Sequence, residues 1–408
     1  VLALAALTLA GAAAKMQEPH FATATIVTSR WPYLPGSILP LRIEGIVPPY
    51  SVSILGPGRL LRGDTYAVPS TSQAGTALLV VGNQAGFGTT RLRIGAPPIA
   101  RPLLLVASYN EGLVLHDEQN FSVIGVLATG GVPSDVAVDS AGEAAVTDTQ
   151  GTELTLAALG TSWNVGRVGG VPFGDEVAAD NSIHAIFVTN RDWNGAGALT
   201  RVAGAGDSGV THVSTGETAE GLAVDERRQI VYVANTNDGT IACVDARSMR
   251  VIQRFPAAAR VFSLALSPDG TRLYAVSNQA ADSPFGKAGE AIEISLKGRL
   301  PRVAARSAKL SFPLGVALDD RANTLFVGDE DRGVIDVLDA RTLRPKHATL
   351  PTCNIPWKLT LDSASERLYV PCAGDNEIDV FDARSLRRVA HAPFATGGYP
   401  LAIAVWRP

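Results

Sequence analysis

The chain has 408 residues, 46% of them hydrophobic and 18% charged, with a net charge of −4. That apolar content excludes a disordered chain, and interspersed charges without a basic patch exclude a nucleic-acid partner. Gly and Pro together number 65 (40 plus 25) and are scattered between short apolar segments, which predicts many short strands joined by turns.

Taken in chain order, residues 1–19 open with the small apolar run VLALAALTLAGAAA and then turn polar at Lys15. The run reads as the remnant of a secretory signal with an A-x-A cleavage site. It predicts an exported chain, periplasmic or extracellular, with no transmembrane span once mature; a short membrane anchor is the alternative. Residues 20–98 show strand-like segments at Thr23–Thr28, Ile38–Glu44, Ser51–Leu55, Thr65–Val68, Thr76–Val81 and Thr89–Ile94, separated by Pro- and Gly-rich turns. That spacing predicts a small immunoglobulin-like β-sandwich, with Ala96-Pro97-Pro98 as a stiff linker.

Residues 99–408 repeat one unit. An LAVD-like strand, a turn, an LYVAN-like strand and an IDVFDARS-like strand recur, most clearly from Gly221, Gly315 and Lys358. The residues closing each first strand are Asp139, Asp180, Asp225, Ser267, Asp319, Asp362 and Trp406, spaced by 41, 45, 42, 52, 43 and 44. A period of about 40–50 residues with four strands per unit is a propeller signature. Residues 101–131 supply three strands of a unit without its first, and the chain finishes on a first strand, YPLAIAVWRP. The two ends should complete one blade between them, which predicts an all-β, seven-bladed β-propeller with Leu401–Val405 beside Leu103–Ala107.

Tyr232-Val233-Ala234-Asn235 and Phe187-Val188-Thr189-Asn190 lie on the second strands of this repeat. On these residues, over about 101–408, the chain resembles the YVTN family of bacterial β-propeller repeats. The resemblance implies the fold and says little of chemistry, since propellers carry many functions.

The propeller geometry puts the residues opening each first strand at one mouth of the central channel. These include Asp135, Asp175, Glu176 and Glu220 on one side, with Arg260, Trp357 and Lys358 on the other. Clustered carboxylates raise one another's pKa or attract a cation, so a divalent cation is possible there, while no other cofactor is predicted. Two enlarged loops on the same face carry Trp193 and Asn194, and Phe285 and Lys287, residue types suited to recognition. Cys353 and Cys372 should meet across the seventh unit, which makes them a disulfide candidate, and Cys243 should be a buried thiol. The six histidines show no ligand spacing, and no G-x-S-x-G elbow, phosphate loop or dinucleotide fingerprint occurs.

These features point first to an exported binding or scaffold protein that holds a small-molecule ligand or a protein partner on the propeller's top face. The alternative is a hydrolase or lyase of the propeller lactonase kind, using the mouth carboxylates and Lys358, with a metal to polarise a carbonyl. A quinoprotein-like electron carrier is a weaker third reading, because no haem motif occurs and aromatics are only 6%.

Overall fold

The computed structural model describes residues 22–62, 64–98, 100–160, 162–191, 196–203, 209–279 and 288–408. Every helix or strand element among them is a β-strand. Among the described residues eight sheets are four-stranded, and seven of these follow one another along the chain in a ring. The inner strands of the second to seventh are Val136–Val138, Gly174–Asp180, Ala219–Asp225, Val261–Leu266, Pro313–Asp319 and Thr360–Asp362, each leading outward through three antiparallel strands. The first blade takes its inner strand, Pro400–Trp406, from the far end of the chain. That strand runs antiparallel to Leu103–Ser108, with Leu104 opposite Val405 and Ala107 opposite Ala402. Neighbouring inner strands touch all the way round, so the molecule is an all-β propeller with a closed ring.

The strands are apolar on both faces because each sheet is packed between two others. Leu103–Ala107 and Leu113–Leu115 are all fully buried, each large side chain contributing about 2 kcal/mol by leaving water. The DARS-like phrase has a physical purpose between third and fourth strands. The carboxylates of Asp245, Asp339 and Asp382 accept the N–H groups of Ser248, Thr342 and Ser385 at 2.7, 2.9 and 2.6 Å. The turn then forces Met249, Leu343 and Leu386 to positive φ, and Met249 and Leu343 are tucked into the core.

The N-terminal segment differs from the sequence expectation. It forms a four-stranded, a three-stranded and a two-stranded sheet. The expected strand Ile38–Glu44 breaks into Ile38–Pro40 and Arg42–Glu44, and an unexpected strand appears at Arg59–Leu61. Far from hanging on a linker, it shares one core with the first and seventh blades: Tyr66, Leu79 and Leu92 cluster with Val106, Val126 and Tyr369. Tyr33 bridges Ile94 on one side and Val126 on the other. The Leu34 N–H donates to Val126 O at 2.7 Å, and the Val126 N–H donates to Pro32 O at 2.9 Å. Gly125 permits this approach, since a Cβ there would lie 2.9 Å from Pro32 O. The outer edge of the first blade is thereby covered and withdrawn from further pairing.

Candidate functional site

A β-bulge at the start of the inner strands builds the mouth. Gly174 pairs with Asn190 but Val177 pairs with Val188, so Asp175 and Glu176 share one opposing residue. The same shift sets Glu220 and Gly221 against Ala234, and Phe262 and Ser263 against Val276. Bulges re-aim side chains and free backbone groups. Here Asp175, Glu176, Glu220 and Phe262 all turn into one cavity of about 490 Å³.

The freed N–H groups are recovered by carboxylates of the preceding blade. Asp135 Oδ2 accepts the Val177 N–H at 2.8 Å, and Glu176 Oε2 accepts the Leu222 N–H at 2.9 Å. Asp135, Glu176 and Glu220 are all buried, and buried charge requires partners. Lys358 reaches in from the seventh blade, its Nζ 2.6 Å from Asp135 Oδ2 and 3.4 Å from Glu176 Oε2. Arg191 pairs with Glu220 and lies 3.8 Å from Asp175, and the Thr236 hydroxyl donates to Glu220. Ser134 and Thr189 tie the loops, donating to Asp175 O and Glu220 O at 2.6 and 2.7 Å.

This crowding moves the titrations. Burial pushes the Glu176 carboxyl up to about 7, opposed by Lys358 and reinforced by Asp135 and Asp175. Burial also raises Asp175, against the pull of Arg191. For Lys358 burial disfavours the charge, but Asp135 and Glu176 outweigh it and hold its pKa above the ordinary lysine value.

The opposite side of the mouth is aromatic. Tyr109, Tyr399, Trp357 and Phe262 line it in succession, with ring centroids 6.1, 6.4 and 6.4 Å apart. Arg260 joins them at positive φ, its Nε donating to Asn278 Oδ1 at 3.1 Å. Among the described residues it has no carboxylate partner.

The seven polar and aromatic residues singled out at the mouth, Asp135, Asp175, Glu176, Glu220, Arg260, Trp357 and Lys358, line one cavity. Trp193, Asn194, Phe285 and Lys287 lie outside the described residues. Arg191, which heads the enlarged loop carrying Trp193 and Asn194, was not expected at the mouth itself, and Tyr109 and Tyr399 were missed by sequence reasoning. A periodic signal existed for two of them: the residues following the second strands Leu103–Ser108, Glu143–Val146 (by three) and Ala185–Asn190 are Tyr109, Thr149 and Arg191, and all three face the cavity.

Cys353 and Cys372 form a disulfide with Cα atoms 5.7 Å apart. Together with the Trp357 N–H donating to Pro371 O at 3.0 Å, it fastens the segment that presents Trp357 and Lys358. Cys243 is a buried free thiol, pushed up to about 12 by burial. The possible divalent cation does not fit the carboxylates as they stand. Lys358 Nζ occupies the point between Asp135 and Glu176 where a cation would sit. Among the described residues no group of three or more His, Cys, Asp or Glu is placed to hold a metal ion. Nor, among them, is any helix long and apolar enough to cross a membrane.

Fold and mouth together define an all-β propeller with a charged and aromatic central cavity. No family model and no curated protein matches the chain. Solved structures are similar in fold. One is a functionally unknown protein from Desulfotomaculum acetoxidans, at 14% identity and TM-score 0.61, covering 76% of this chain and 100% of that one. The periplasmic gluconolactonase of Pseudomonas aeruginosa matches at 13% and 0.60, covering 74% and 98%. Kuenenia stuttgartiensis hydrazine synthase matches at 13% and 0.56, covering 77% and 92%. Three such different names on one fold leave function to the site itself.

Proposed function

We propose that this chain is an exported binding protein whose propeller mouth holds a small anionic ligand with a flat or apolar face. The observation that carries this is the contrast inside the cavity. The carboxylates are consumed by Lys358, Arg191, Thr236 and backbone N–H groups, whereas Arg260 and the aromatic arc have faces left for a guest. A cavity of about 490 Å³ suits a small molecule. Export is supported by the apolar N-terminal run and by the Cys353–Cys372 disulfide, a bond of oxidising compartments. The YVTN-type repeat phrase supports a bacterial propeller lineage.

The test is calorimetric titration with simple carboxylates and phosphates, with and without a ring. Binding is expected for at least one ring-bearing anion, weakened about tenfold or more in Arg260→Gln and Trp357→Ala. Equal affinity in all three proteins would remove the mouth from the account.

A second reading, lactone hydrolysis, is favoured by the Glu176 carboxyl near neutrality and by the fold shared with a periplasmic gluconolactonase. Water would add to the ring carbonyl as Glu176 takes its proton. The ring C–O bond would then break, the leaving oxygen regaining that proton. Acid release from glucono-lactone, followed at constant pH and abolished in Glu176→Gln, would support it; turnover unchanged in that variant would end it.

A further inference from the structure

A second cavity of about 580 Å³ lies between the N-terminal segment and the first two blades. Tyr109 and Gln150 line both it and the mouth cavity, and the Gln150 Nε2 donates to the Tyr109 hydroxyl at 3.0 Å. This one hydrogen-bonded pair is therefore the wall between the two. Because Tyr109 accepts in that bond, its own proton is left for a guest.

The second cavity is polar and incompletely satisfied. Thr129 lines it, is more than nine-tenths buried, and its Oγ1 has no hydrogen-bond partner. Buried polar groups left so are costly unless something completes them. Glu111 lines it too, accepting the Ser29 hydroxyl at 3.1 Å and held as well by the Gly398 backbone and the nearby charge of Arg30. Arg42 stands at its border, paired with Glu44 but mostly exposed.

From this juxtaposition we propose that the two cavities form one continuous binding track for an acidic oligosaccharide. One sugar sits in the mouth with its carboxylate on Arg260 and its ring against Trp357. The next units pass over Tyr109 and Gln150 into the groove of the N-terminal segment, near Arg42. The aromatic arc supplies faces for sugar rings, and Gln150 and Glu111 supply partners for hydroxyls. The proposal rests on the mouth being a ligand site and adds that the N-terminal segment reads ligand length.

The experiment is a titration series with linked galacturonate oligomers of one to four units, alongside tetra-glutamate. Affinity should rise at least tenfold from one unit to three. In Arg42→Glu, a change on an exposed side chain, the gain should fall while one-unit binding stays unchanged. A flat response to length would overturn the track and leave the mouth reading intact. Failure of every galacturonate while another ring-bearing anion binds would overturn the sugar assignment. A matching gain with tetra-glutamate would overturn it in favour of a peptide.

Discussion

The two halves of the mouth use the same bulged strand starts for opposite ends. On the side of the second to fourth blades the wall is made of carboxylates: Asp135 and Glu176 cap the next blade's N–H groups, and Lys358 and Arg191 neutralise the group. On the other side, the bulge presents Phe262, and neighbouring segments add Trp357, Tyr399 and Tyr109 with few polar obligations. A cavity wall rich in charge is thus the part already spoken for, and the apolar wall with Arg260 is the part free to choose a guest.

The largest expected effect comes from Lys358→Met. Removing the ammonium strands Asp135 and Glu176 as buried negative charge, at a cost of about 3 kcal/mol. Adding Asp135→Asn should recover much of it. Thermal or urea unfolding measures both, and a loss well under 1 kcal/mol in the single variant would show that the acidic half is not held by this pair. Next is Trp357→Ala, which should lower ligand affinity by about 2 kcal/mol while shifting the melting temperature far less than Lys358→Met does. Comparable losses of stability in the two variants would erase the distinction between halves.

The smallest effect is in pH dependence. The folded state holds the Glu176 carboxyl at about 7, above its ordinary 4.5. Between those values the folded chain binds more protons than the unfolded one, so stability from this group is present below about 4.5 and is lost as pH rises through about 7. Wild type should therefore lose stability between pH 5 and pH 8 more steeply than Glu176→Gln. Parallel curves would mean that Glu176 is already ionised throughout that range.

Much of this architecture was legible because the repeat writes itself into spacing. The recurring first-strand ends placed Asp135, Asp175, Glu176, Glu220, Trp357 and Lys358 at one opening, and the phase of the two chain ends set Leu401–Val405 beside Leu103–Ala107, where the structure has them. The disulfide was legible for the same reason. What spacing could not show was allegiance. That Lys358 crosses the channel to neutralise Asp135 depends on a side-chain reach that no periodicity encodes. The N-terminal segment misled for a related reason. Its strands alternate like those of an independent sandwich, and its hydrogen-bonded attachment runs through Pro32, Leu34, Ser37 and Ile38, which reach Val126 and Ala128 more than 80 positions away.

The shared first blade also orders events in time. Leu103–Ser108 leaves the ribosome about three hundred residues before the strand that must lie beside it, Pro400–Trp406. Until then one flank of that sheet is bare, and the acidic residues of later blades have no enclosed channel to face. Contacts so distant in sequence slow the search for the native state. The final assembly step should therefore be the ring snapping shut, and only after it can the cavity take anything in.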